Sequence, residues 1–136
     1  MLSMEFASTN MLLSSLLSTC AETASVAERL AACAREEFLQ HFLHERSVSY
    51  ARASIELRDH GGSAAVENGT GDLTLPVIEG ELDGIATAWE AIECSALISF
   101  RDALDLDLPD DVFATLRRRI EDGVSALERL RRSGVM

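Results

Sequence analysis

An all-α four-helix bundle with one long crossover is the fold this sequence predicts, and three observations carry that expectation. Residues 1–60 contain neither Gly nor Pro, and apolar side chains recur through them at helical spacing. Aromatic residues are scarce, at 5%, while Ala and Leu are common, a balance that suits close helix–helix packing better than a sheet. A glycine-rich stretch then separates two helical halves. With 136 residues the chain is expected to be one domain, long enough for one core and not for two.

The first two helices are expected over about 11–31 and 34–60. Leu13, Leu16, Leu17, Cys20, Ala24, Ala27, Ala31 and Ala34 keep one helical face in phase. Globular helices rarely exceed about 25 residues, so a turn is placed near Ala31–Arg35, where small residues replace large ones. A capping pair at Ser25 and Glu28 is the competing site for that turn. The run Met11–Leu17 before Cys20 looks superficially like an export signal. It has no positive leader, follows Glu5, and is too short and serine-rich to span a bilayer, so it reads as helix and the protein as cytoplasmic. Cys20, Cys33 and Cys94 are odd in number and form no CxxC pair, which fits reduced, packed thiols.

The second helix holds Leu39, Phe42, Leu43, Tyr50, Ala53 and Leu57 on one face and closes at Gly61-Gly62, a pair suited to a left-handed C-terminal cap. Arg46 falls in the middle of that apolar face. A charge there needs a partner. The texture then changes over the 19 residues 61–79, which crowd Gly61, Gly62, Asn68, Gly69, Gly71 and Pro76 together. That length can cross a bundle of roughly 36 Å, as a link between parallel helices must.

The third helix is expected over about 77–104, with Leu82, Ile85, Trp89, Ile92, Ala96, Phe100 and Ala103 on one face and Glu93 inside that arc. After a short turn, Asp107, Pro109, Asp110 and Asp111 make an acidic start to a fourth helix over about 108–132. Phe113, Leu116, Ile120, Val124 and Leu127 form its packing stripe, and Arg129, Arg131 and Arg132 put cations at its negative end. Helix, short turn, helix, long connection, helix, short turn, helix is the order of ferritin-like bundles.

Several pieces of this sequence resemble a bacterial family of ferritin-like four-helix-bundle proteins of unknown function. They are Val26-Ala27-Glu28, Glu45-Arg46 fifteen residues ahead of Gly61-Gly62, the run Glu90-Ala91-Ile92-Glu93 leading to Phe100-Arg101-Asp102-Ala103-Leu104, and the turn Asp107-Leu108-Pro109. Together they cover most of residues 11–132, while the crossover and the start of helix three depart from the family pattern. The resemblance implies a ferritin-like fold and a stress-related setting in bacteria. It brings no activity with it.

The net charge of −11 comes from 23 acidic and 12 basic residues, all of the latter Arg. Nucleic acid and anionic membrane both need a basic face and are not expected partners. A di-iron bundle needs Glu-x-x-His on two helices, and that motif is absent from the sequence. A lesser iron or manganese site would draw on Glu28, Glu45, Glu90 and Glu93, with Glu22 as an alternative to Glu28. The competing arrangement, which is the one expected, is a buried charge network in which Arg46 meets Glu93, with Glu90 or Glu28 completing it.

His41-x-x-His44-Glu45 invites a zinc interpretation, but both histidines lie opposite Leu39, Phe42 and Leu57 and the zincin spacing is missing. They share that outer side with Val48, Ala51 and Ile55, a stripe that reads as a subunit interface. No nucleophile motif and no phosphate-binding loop stands out. The sequence therefore predicts a non-enzymatic bundle that self-associates through helix two and carries no cofactor. The alternatives are a carboxylate-bridged iron-binding or iron-oxidising bundle, and an acidic inhibitor or immunity-type protein that neutralises a basic partner.

Overall fold

The structure, a computed structural model, describes residues 2–61 and 84–134, of which 2–9 contribute backbone only. It is a four-helix bundle: α1 (Leu2–Cys33), α2 (Glu37–Asp59), α3 (Ile85–Leu104) and α4 (Asp110–Arg132). No strand occurs among the described residues. The helix α1 is 32 residues long and begins nine residues before the expected start. Its apolar phase sets in only near Leu13, but nothing between Leu2 and Asn10 is a Gly or Pro that would stop the helix earlier. Ser25 and Glu28 lie inside α1, so they cap nothing.

The first turn occupies Ala34–Glu36. The Ala34 amide closes α1 on the Leu30 carbonyl at 3.0 Å, and the Gln40 side-chain amide donates to the Ala34 carbonyl at 2.7 Å. Gln40 thus satisfies from α2 an acceptor that the end of α1 leaves open. At the far end, Gly61 adopts φ +113°, a conformation a side chain disfavours, and an added Cβ there would meet Asn10 Oδ1 at 3.1 Å.

Each helix packs on two neighbours: α1 on α2 and α3, and α4 on α2 and α3. Contacts between α2 and α4 run in reverse order. Glu45 meets Arg129, Arg46 and Ser49 meet Asp122, Glu56 meets Arg118 and Arg119, and His60 meets Thr115 and Asp111. The helices α3 and α4 also run antiparallel, with Glu90 on Arg131 and Leu97 against Gly123. It follows that α2 and α3 point the same way, on opposite corners of the bundle. The chain leaves α2 beside the start of α4 and enters α3 beside the end of α4. Residues 62–83 lie outside the described residues, and with them most of the 61–79 crossover, the start of helix three near 77, and Leu82.

The core is aliphatic with a few rings, and Trp89, Phe100, Leu13, Leu43, Leu57, Ile85, Leu116 and Leu130 are its largest fully buried apolar side chains. The stripe of α4 is rotated from the expected one. Val112, Leu116, Ile120, Gly123, Leu127 and Leu130 face inward, while Phe113 and Val124 are exposed. Gly123 explains the rotation: a Cβ there would come within 2.6 Å of Leu97 Cδ2, so the missing side chain lets α3 and α4 approach. The helix accepts glycine's propensity cost of about 1 kcal/mol for that contact.

Candidate functional site

Two pairs of residues, each spaced i, i+4, meet at the centre of the bundle. Arg46 and Tyr50 lie one turn apart on α2, and Trp89 and Glu93 one turn apart on α3. Glu93 is fully buried, and Arg46 is only 3% exposed. The Arg46 guanidinium donates to the Glu93 carboxylate through Nε, at 3.0 Å to Oε2, and through Nη2. Tyr50 OH donates to Oε2 at 2.9 Å, and Trp89 Nε1 donates to Oε1 at 3.0 Å. The guanidinium also lies 5.4 Å from the centre of the Tyr50 ring, which meets Trp89 edge-on.

The network continues outward across α4. Arg46 Nη1 donates to Asp122 Oδ2 at 2.9 Å, and Ser49 OH donates to the same oxygen at 2.8 Å. Arg119 reaches Ser49 and, with Arg118, holds Glu56. A charged chain thus runs from a carboxylate on α3, through α2, to the α2/α4 surface. No buried side-chain nitrogen or oxygen lacks a hydrogen-bond partner among the described residues. A fully satisfied network of this kind fixes which helix faces which, since any slip strands a charge in the core.

Titration directions follow from these contacts. Burial works against the Arg46 charge, but the facing Glu93 and Asp122 outweigh it and hold the guanidinium above its usual range. Burial likewise works against Asp122, yet its bonds from Ser49 and Arg46 keep it below the ordinary carboxylate value. Burial, then the Glu93 charge, pushes the Tyr50 phenol upward. Burial also pushes the Cys20 thiol up to about 12.

The last two shifts predict the alkaline limb of stability. A group that keeps its proton longer when folded stabilises the fold fully below its unfolded value and loses that contribution as pH rises through its folded one. Stability should therefore fall from about pH 9 for Cys20 and about pH 10 for Tyr50. Tyr50 is the only tyrosine in the chain. The tyrosinate absorbance band is then expected to stay absent at about pH 11 until helical circular dichroism is lost. A band that grows in near pH 10 with the helices intact would refute this.

The structure brings Arg46 and Glu93 together and leaves the other sequence candidates elsewhere. Glu90 does not join them: its carboxylate pairs with Arg131 at 2.9 Å on the α3/α4 surface, because it lies on the α4-facing flank of α3. Glu28 faces His44 at 3.2 Å, Glu45 faces Arg129 at 3.4 Å, and Glu22 is half-buried on α1. Glu28, Glu45, Glu90 and Glu93 thus sit on four different partners. Among the described residues, no three His, Cys, Asp or Glu side chains converge as a metal-ligand set.

His41 lies 3.8 Å from Glu37, so the two histidines are directed at different carboxylates. His41, His44, Val48, Ala51 and Ile55 are all exposed along the outer side of α2. Beside that stripe, a groove of about 380 Å³ between α2 and α4 is lined by Arg46, Arg52, Arg119, Arg129 and Asp122, among others.

Sequence reasoning misses Tyr50, Trp89, Ser49 and Asp122 as members of the network. A signal for the first two exists: each carries one polar handle and sits one turn from an inward charge, and a buried Tyr or Trp needs a partner for that handle. Ser49 and Asp122 have no such signal, being off the apolar stripes. No helix among the described residues is long and apolar enough to cross a membrane. No family model, curated protein or solved structure matches this chain.

Proposed function

We propose that this chain is a non-enzymatic, ferritin-like bundle that works as a binding protein, with a second copy of itself as its first partner. One observation carries the reading. The only carboxylate desolvated at the bundle centre among the described residues, Glu93, is held by Arg46, Tyr50 and Trp89 at once. A carboxylate so engaged acts as a structural pin; a general base or a metal ligand needs a free lone pair facing a cavity. The common direction of α2 and α3 supports the ferritin-like topology, and the family resemblance adds a bacterial, stress-related setting.

Self-association is supported by the outer side of α2, where Val48 is 37% and Ile55 is 53% exposed. Sedimentation of wild type is expected to show a dimer or larger species, and Val48→Asp with Ile55→Asp to shift it toward monomer. A wild type that is already monomeric removes the self-association. Two equivalents of iron or manganese per chain, in protein purified without a tag, would replace the binding reading with a metal-handling one.

A further inference from the structure

Glu45 and Arg52 lie one heptad apart on the same flank of the exposed α2 stripe that runs through His41, His44, Val48, Ala51 and Ile55. Their order matters. Two such helices side by side and antiparallel bring this flank of one against the same flank of the other in reverse, so each acid meets the other's base. Side by side and parallel, this flank of one helix lies against the opposite flank of the other, so Glu45 and Arg52 do not meet.

We infer that two copies pair through the outer face of α2 in antiparallel, Glu45 of each against Arg52 of the other. The inference rests on the self-association proposed above and specifies its geometry.

Three features of the structure converge on it. First, Arg52 has no hydrogen bond or ion pair among the described residues, whereas Arg46, Arg118, Arg119 and Arg129 around the same α2/α4 contact all have one. Glu45 holds only a 3.4 Å contact to Arg129, with both side chains more than half exposed, an interaction worth little in water. Second, the apolar positions match: a register that puts Glu45 opposite Arg52 brings Val48 within two residues of Ala51 of the second copy, close enough for the small residue to receive the larger one. Third, an antiparallel crossing opposes the two helix dipoles, which a parallel one would align. A two-fold axis generates both charge pairs and both apolar contacts from one patch, as an isologous interface requires.

The test is a charge exchange. Glu45 and Arg52 are both exposed, and retained helical circular dichroism verifies that the variants fold. Glu45→Arg sets Arg against Arg at both ends of the contact, and Arg52→Glu sets Glu against Glu. Each single variant is expected to dimerise on the order of a hundredfold more weakly than wild type. Mixing the two should restore a heterodimer, because the altered charges are complementary only across an antiparallel pair, and the double variant should recover the wild-type dimer. A wild type that is monomeric in sedimentation overturns the self-association itself. A dimeric wild type whose single variants stay dimeric, or whose mixture stays monomeric, overturns this pairing and leaves self-association standing.

Discussion

Replacing Arg46 by leucine is expected to cost about 3–5 kcal/mol of folding stability, the usual penalty for removing one partner of a buried ion pair. The loss arises less from the missing attraction than from what stays behind. Glu93, fully buried, would keep only the neutral donors Tyr50 and Trp89 around a full negative charge. Glu93→Leu should cost a similar amount, since it strands the Arg46 Nε and Nη2 donors, the Tyr50 hydroxyl and the Trp89 indole N–H together. The double variant, with leucine at both positions, should be far less destabilised than the sum, by about 2 kcal/mol or more, because neither change then leaves an uncompensated charge. Denaturant unfolding of all four proteins gives the coupling directly. Additive losses would mean that Arg46 and Glu93 do not meet.

The second large effect is expected at Trp89. Truncation of a fully buried tryptophan to alanine removes its packing and leaves a cavity, at about 3–5 kcal/mol. Trp89→Phe separates the two contributions. It keeps most of the ring volume and deletes the indole N–H that donates to Glu93 Oε1, so a loss of about 1–2 kcal/mol isolates the hydrogen bond to a charged acceptor. Because Trp89 is the only tryptophan, its variants must be followed by circular dichroism. If Trp89→Phe is as stable as wild type, the indole does not help hold the carboxylate.

Much of this fold is legible in the amino-acid pattern. The absence of Gly and Pro from residues 1–60, the acidic start and basic end of α4, and the glycine-rich break in mid-chain each constrain one element. Inward charges are legible too, since Arg46 interrupts a row of Leu, Phe and Ala at helical spacing and Glu93 sits one turn from Trp89 and from Leu97. What the pattern does not carry is which flank of a helix meets which neighbour. Glu90 lies one turn from Glu93, and only the placement of α4 decides that it turns to Arg131 instead of the core. Asp122 and Arg119 look like ordinary surface charges until α2 is laid against α4. The rotation of the α4 stripe escapes for a related reason: Gly123 belongs to the buried face because it lacks a side chain, and hydrophobicity patterns register only side chains that are present.

The separation of Arg46 from Glu93, 47 residues along the chain, bears on how the molecule assembles. The pairs α1/α2 and α3/α4 are each joined by a short turn, so each hairpin closes a small loop, while the central ion pair forms only when one hairpin docks on the other. Contacts of that kind are absent from an early transition state and act mainly on the rate of coming apart. The charges at the centre of this protein would then work as a latch on its lifetime in the native form, with little influence on how fast that form is reached.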